Sequence, residues 1–358
     1  MIVLRKKKRL SFSRLGKNKF SNQMKLNFLE QIFVWVNALT LIFQLMLMQS
    51  IPSLFGFSIL NLFVPVVVLL NLLFFFYWLV KMKWPFLLFM GSFLIGYNEW
   101  NLLYQFPKTA IRKSSATLSV MSYNVRLFNE YNWIKGGQIP DKIEKLIQAE
   151  NPDIICFQEY SKSNAPRLDA YEYKYIQPSR SMGKSPLAIY SKFPILDQGY
   201  IDFEASTNSG AYVDLFFRQK QFRVYNLHFE SFRIDEKDSL FTNPDSEAIQ
   251  VKFDEVFQKQ LEQIGQFDAL ENTNSIPSII CTDLNNTQFS KAYKHLSTNR
   301  QDAFVSAGKG IGETFYFSSF PLRIDFIFSP KEFRVNEFKV LQEKYSDHYP
   351  IVAQFGWD

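Results

Sequence analysis

The sequence predicts an α/β domain over residues 116–358, preceded by an apolar helical region over 26–106. Three observations carry this reading. Uncharged apolar runs of membrane-spanning length occur only in the first hundred residues. From Ala116 onward, short apolar strands alternate with amphipathic helices. The charge divides at the same place: residues 1–113 hold 14 Lys/Arg against two acids, Glu30 and Glu99, while residues 114–358 hold 26 basic and 32 acidic residues. The formal net charge of +6 therefore describes neither part. A basic arm on an acidic domain suits a membrane surface or a nucleic acid. Two Cys exclude a disulfide scaffold and a thiolate zinc cluster, and three His leave little room for a polyhistidine metal site. With 14 Gly and 15 Pro among 358 residues, collagen-like and Pro/Gly-rich disordered classes are excluded.

Residues 1–25 form a basic arm, from Arg5 to Lys25. The first apolar stretch, 26–48, carries one acid, Glu30, near its start. The second, 55–80, runs 26 residues without a charge, and Pro65 inside it is expected to kink the helix. The third, 84–106, crosses only if Glu99 lies near an interface, where Trp100 and Tyr104 are also comfortable. No small-x-small site follows the first run, which argues against a cleaved signal peptide. The arm of 1–25 and the Lys81/Lys83 turn are expected inside. Three crossings then put a linker, 107–115, and residues 116–358 outside the cytoplasm; two would keep them inside. The expected location is the inner membrane, multi-pass, with the lipid bilayer as partner and no protein partner.

The remaining elements follow in order. Leu118–Val125 alternates like a strand, Asp141–Glu150 is an amphipathic helix, and Asn151-Pro152-Asp153 ends it. Strands are expected at Ile154–Gln158, Leu187–Tyr190, Ala211–Phe217, Phe222–Leu227, Ile276–Cys281, Arg323–Phe328 and Ile351–Phe355. A long amphipathic helix covers 247–269. The stretches 161–186 and 231–246 read as substrate-facing loops. Cys156 and Cys281 lie in apolar strands and read as small buried hydrophobes. His295 reads as a surface residue of a helix.

Polar residues stand where the apolar strands stop. Asn124 and Arg126 close the first, Glu159 the second and His228 a later one. Asp283 and Asn285 close another, and Asp325 and the pair Asp347-His348 follow. Singly, each has a structural explanation, such as a turn or a cap. Together they bring acids, amides and histidines to strand ends, where they converge and where carboxylates bind hard cations. Oxygen donors without Cys favour Mg²⁺ or Mn²⁺ over Zn²⁺.

The segments SYNVRLF, DIICFQE, LAIYSKFPI, YNLHFES, IICTDLNNT, RIDFIF and YSDHYP, in this order, resemble the endonuclease/exonuclease/phosphatase superfamily. The resemblance covers about 116–357. It implies a four-layer α/β sandwich, two packed mixed β-sheets flanked by helices, behind the transmembrane region. The family's Gly-Asp-Phe-Asn is here Thr282-Asp283-Leu284-Asn285, so Asp and Asn keep their spacing while the Gly is lost. The Asn-x-Arg form of the first segment resembles the deoxyribonuclease pattern. The resemblance implies Glu159 as the main metal ligand, with Asn124 nearby and Asp347 completing the shell. It implies that Asp325 orients His348, that Asp283 orients or deprotonates water, and that Asn285 and His228 donate to the transition state. Arg126 is expected on the substrate phosphate.

The leading expectation is a membrane-anchored, Mg²⁺-dependent phosphoesterase acting on a lipid-linked or small phosphoester. A nuclease is the alternative, weakened by the acidic domain, since duplex DNA usually meets a basic groove. A local patch of Arg126, Lys184, Arg218 and Arg223 would keep that alternative open. An inactive binding module would be expected to have lost Glu159, Asp283, Asp325 or His348, and all are present. Three spans are few for a transporter.

Overall fold

The computed structural model describes residues 25–108, 117–178, 185–232, 246–317 and 320–356. The basic arm up to residue 24, most of the 107–115 linker and most of the 231–246 loop lie outside these residues, as does Lys184. The chain divides into two compact units, one of residues 1–49 and 63–97, the other of residues 50–62 and 98–358.

The first unit contains helices α1 (Phe28–Met48), α2 (Val64–Val80) and α3 (Phe86–Ile95). Two helical stretches, Phe28–Met48 and Ser58–Val80, are long and apolar enough to cross a membrane by length and composition. Their apolar side chains are widely exposed: Trp35 is 72% and Val80 82% accessible, as suits a lipid surround better than water. Glu30 is not a stray charge. It closes a capping box with Asn27 and pairs with Lys83 at 3.3 Å. A buried amide cluster joins the two long helices. Asn71 Nδ2 donates to Gln44 Oε1 (3.0 Å), and Thr40 Oγ1 donates to Asn71 Oδ1 (2.7 Å). Such bonds are typical glue between helices that lack a hydrophobic driving force.

Two expectations are corrected here. Pro65 stands in the first turn of α2, where its missing N–H costs nothing, so it starts the helix and does not kink it. The run 55–80 is accordingly a 3₁₀ stretch, Ser58–Phe63, followed by α2. The segment 84–106 is not one helix. α3 is capped at Gly96, and a separate α4 (Tyr97–Leu103) follows, with Glu99 in its first turn, where the helix dipole favours an acid.

The second unit is built on fourteen strands among the described residues. In chain order they are β1 (Thr117–Asn124), β2 (Ile154–Gln158), β3 (Tyr173–Ile176), β4 (Ala188–Ser191), β5 (Ile195–Asp202), β6 (Ser209–Phe217) and β7 (Lys220–His228). Then come β8 (Ser278–Asp283), β9 (Gln301–Asp302), β10 (Phe315–Phe317), β11 (Phe320–Leu322), β12 (Asp325–Ser329), β13 (Arg334–Val340) and β14 (Ile351–Gly356). The helices are α5 (Ile139–Glu150), α6 (Ser246–Glu271), α7 (Lys291–Leu296) and α8 (Ala303–Ala307). One mixed sheet has the order β13-β14-β1-β2-β4-β3 and the other β5-β6-β7-β8-β12-β9, while β10 and β11 form a hairpin.

Strand periodicity sorts the side chains into layers. Leu118, Val120, Ile154 and Cys156 of the first sheet meet Phe222, Val224, Ile279 and Cys281 of the second in the central core. The alternate residues face outward. Met121, Tyr123 and Ile155 take Ile139, Ile143 and Ile147 of α5, and Tyr225, Leu227 and Ile280 take Ile264 and Phe267 of α6. Helix, sheet, sheet and helix thus make the four layers. Both cysteines are free and buried.

Candidate active site

The inner row of each central strand changes from apolar to polar toward one end. On β1 it runs Leu118, Val120, Ser122, Asn124; on β2, Ile154, Cys156, Gln158; on β7, Phe222, Val224, Asn226, His228; on β8, Ile279, Cys281, Asp283. β1 is parallel to β2, and β7 to β8, so these ends fall together. Asp325 does not end a strand as the sequence suggests; it begins β12. Because β12 runs antiparallel to β8, with Asp325 opposite Asp283, it reaches the same edge. β14 likewise runs antiparallel to β1, with Ile351 opposite Ser122, which delivers Asp347 and His348 just before it.

Asn124 bridges the sheets. Its Nδ2 donates to Glu159 Oε1 (3.1 Å) and to Asp283 Oδ2 (2.8 Å), and its Oδ1 accepts from Arg126 N (3.1 Å). His228 Nε2 lies 3.7 Å from Asp283 Oδ2 and 4.0 Å from Glu159 Oε1. Both ring nitrogens of His228 are buried without a hydrogen-bond partner in the structure. His348 Nδ1 is 2.9 Å from Asp325 Oδ2, and its Nε2 is 3.7 Å from Asp283 Oδ2. Asn285 N donates to Asp283 Oδ1 (2.9 Å), and its side-chain amide donates to the Phe229 carbonyl (3.0 Å). Asp347 Oδ2 pairs with Arg126 Nη1 at 3.0 Å, and the Arg126 guanidinium lies 4.5 Å over the Trp133 ring. Glu159 and Asn285 both have left-handed backbones, φ 48° and 51°. Strain at non-glycine positions persists where the surroundings over-determine it, often at functional sites.

Burial would lower the His348 pKa, but the carboxylates of Asp325 and Asp283 outweigh it, so the ring is held well above the usual histidine value. Burial, together with the negative charge of Asp283, raises Asp325, while the His348 charge pulls it back. The pair therefore holds its shared proton more tightly than a free imidazole would.

Oxygen donors surround this edge. One ligand atom each from Asp283, Asp325 and His348 lies within 4.8 Å of the others. His348 and Asp325 already hydrogen-bond to each other, and Asp283 accepts from Asn124 and Asn285. The Glu159 carboxylate, 32% exposed, presents the open side. Carboxylates, an amide and no thiolate fit a hard divalent cation. Asp347, expected as a ligand, is engaged by Arg126.

Several residues of the site lie beyond those expected from the sequence. Gln158 Nε2 donates to Ser122 Oγ (3.1 Å) and Asn226 Oδ1 (2.7 Å), and Asn226 Nδ2 donates to the Phe157 carbonyl (2.8 Å). This buried bridge joins the sheets directly beneath the site; the period-2 row ending in Asn124 and His228 would have shown it. Thr314 Oγ1 accepts from Asp325 N (3.1 Å), and the Phe315 ring lies tilted against the His348 ring, 5.0 Å between centroids. His295 pairs with Asp268 at 2.6 Å on the surface, away from these groups. Arg223 does not join a phosphate-binding patch. It is held by Asp214 at 2.6 Å and lies over the Tyr212 ring.

The sequence pattern of the "Endonuclease/Exonuclease/phosphatase family" matches residues 121–348. A search among curated proteins finds no match. Among solved structures, a family protein from Bacteroides thetaiotaomicron has TM-score 0.54 and 19% identity, covering 69% of this chain and 100% of its own. The mannosyl-6-phosphatase of B. thetaiotaomicron VPI-5482 has TM-score 0.52 and 19% identity, covering 67% and 100%. D. rerio TDP2, humanised by 14 mutations, has TM-score 0.54 and 16% identity, covering 68% and 100%. At such identities these structures share the fold; the family pattern spans most of the second unit, including the site end of β1 and all of β2, β7, β8 and β12. The chain belongs to the endonuclease/exonuclease/phosphatase family, whose members are metal-dependent phosphoester hydrolases.

Proposed function

We propose that this protein is a membrane-anchored phosphoesterase that hydrolyses a lipid-linked or small phosphoester outside the cytoplasm. The observation that carries the chemistry is the convergence of Asn124, Glu159, His228, Asp283, Asp325 and His348 at one edge of both sheets. Glu159 and Asn124 would hold Mg²⁺ or Mn²⁺, with Asp347 joining when released from Arg126. Bound there, the ion supplies Lewis-acid polarisation of a phosphoryl oxygen. The chain's own groups do the rest. His348, kept protonated by Asp325, donates from Nε2 to a phosphate oxygen. Asp283 orients the attacking water and accepts its proton. His228, unpartnered and 3.7 Å from Asp283, is placed to donate to the departing or equatorial oxygen. Asn285 holds the Asp283 carboxylate through its N–H.

The anchor reading rests on the two apolar helical stretches. Residues 50–62, which run from the connection into the start of the second stretch, belong to the same unit as the catalytic domain. A loop and a domain that form one unit share one side of a bilayer. With Lys81 and Lys83 inside, that side would be the outer one, and residues 84–97 would return through the membrane. A lipid bilayer is then the constant partner. It concentrates substrates held in it. The holding of Arg223 by Asp214 favours a small or lipid-linked ester over a nucleic acid.

The test is a metal-dependent hydrolysis screen of the full chain in detergent against phospholipids, prenyl pyrophosphates, sugar phosphates and DNA. Glu159→Ala, Asp283→Ala and His348→Ala should each lower the rate by roughly 10²–10⁴-fold in a folded protein. Undiminished hydrolysis in all three would sink the assignment. Preference for DNA would move the substrate to nucleic acid.

A further inference from the structure

Residues 50–62 do more than connect two apolar helices. Ser50 is 3% exposed with a left-handed backbone (φ 58°), and its hydroxyl donates to the Phe289 carbonyl. Lys291 Nζ donates to the Ser53 carbonyl (3.0 Å), and Asn61 Nδ2 donates to Ser53 Oγ (2.9 Å), which cross-braces the loop. Its other side is tied to α6. Gln250 Nε2 donates to the Gly56 carbonyl (2.9 Å), and Asp254 Oδ1 accepts from Ser58 N (3.3 Å). Gly56 is needed there: its φ is +73°, and a Cβ would stand 3.3 Å from Asp254 Oδ2.

Both partners of this loop hold Asn285. α6 does so through Gln260, which is fully buried. Its Nε2 donates to the carbonyls of Leu284 (3.2 Å) and Asn285 (3.4 Å), and its Oε1 accepts from Asn286 Nδ2 (2.8 Å). The segment 286–291 does so by continuity, since Phe289 lies four residues past Asn285 and Lys291 six. The loop is therefore wedged between the helix that grips the catalytic turn and the chain that leaves it. A passive tether could attach at any point on the surface. This one attaches to the two supports of a left-handed residue whose N–H fixes Asp283.

We propose that residues 50–62 are a positioning element of the active site, bracing the 284–291 turn so that Asn285 and Asp283 keep their hydrolytic geometry. The kinetic half of this rests on the phosphoesterase reading; the bracing half does not. A one-ångström misplacement can cost on the order of 10²-fold in rate.

The experiment uses the full chain in detergent micelles. Ser50→Ala and Lys291→Met, singly and together, remove the two contacts to the turn. Lys291→Arg keeps a donor and should rescue. Leu54→Ser, at an outward side chain, is the control. Two quantities are read: amide hydrogen exchange over peptides covering 284–292, and kcat and KM for bis(4-nitrophenyl) phosphate with Mg²⁺. The expected result is exchange about tenfold faster over 284–292, unchanged exchange over β1 and β2, and kcat lower by about 10–100-fold with little change in KM. Unchanged exchange over 284–292 overturns the proposal whatever the activity. So does faster exchange with unaltered kcat. A wild-type protein that hydrolyses nothing counts against the phosphoesterase reading instead, and exchange alone then decides the brace.

Discussion

Gln158 shows how a single buried amide can register two sheets. Removing it as Gln158→Leu leaves Asn226 Oδ1 without its donor in a fully buried layer. An orphaned buried polar group costs about 1–3 kcal/mol, which lowers the melting temperature by roughly 2–4 °C per kcal/mol in a domain of this size. Calorimetry of the variant checks this, and an unchanged midpoint would show that the bridge contributes nothing. Arg126 should behave in the opposite way. Its pair with Asp347 is over a third exposed on the arginine side, so it adds little to stability. Arg126→Lys keeps the charge but loses the flat stack on Trp133. If Arg126 holds the substrate phosphate, both Arg126→Lys and Arg126→Ala should raise KM several-fold with the melting point nearly constant. Steady-state kinetics beside a melting curve separate the two. At this scale most of the site was legible, because Asn124, Glu159, His228 and Asp283 stand where apolar runs stop. Gln158, Asn226 and Thr314 were not, because their task is to bond other protein groups, and an amide inside an apolar run carries no label for that.

Among the elements, the turn after β1 is the most constrained. Arg126, Leu127, Phe128 and Asn129 all have positive φ, from 39° to 61°. Asn129 secures the run: its Nδ2 donates to the Ile134 carbonyl (2.9 Å) and its Oδ1 accepts from Ile134 N (2.8 Å). Asn also tolerates the left-handed region better than most residues. Asn129→Ala removes both bonds and leaves a Cβ in strained backbone, for an expected loss of about 1–3 kcal/mol by denaturant titration. A loss below the error of the titration would mean that the turn is held from elsewhere. Central strands were readable in the sequence because both their faces are buried, as in β2 and β8. Edge strands were not. β5 exposes most of its residues, and β13 carries a bulge between Val335 and Glu337 that breaks the alternation. β3 is four residues at a sheet edge. The third apolar segment misled for another reason: composition reports apolarity but not the Gly96 cap that splits it.

For the whole molecule, the parity of crossings decides the compartment. Residues 50–62 and the chain from Asn98 onward belong to one unit, so the proposed outer location requires both to lie on one side of the bilayer. A fusion of alkaline phosphatase after Asp358 should be active, and a fluorescent reporter that matures only in the cytoplasm should stay dark there. The reverse pair of results would mean an internal enzyme. The same loop also sets a schedule for biogenesis. Ser50 and its partner Phe289 are 239 residues apart in sequence. At about 5–20 residues per second, the ribosome needs roughly 12–48 s to deliver Phe289 after Ser50. Throughout that interval the loop waits for Phe289, and its polar groups must be served by water. A nascent chain stalled or truncated before Phe289 would lack this brace.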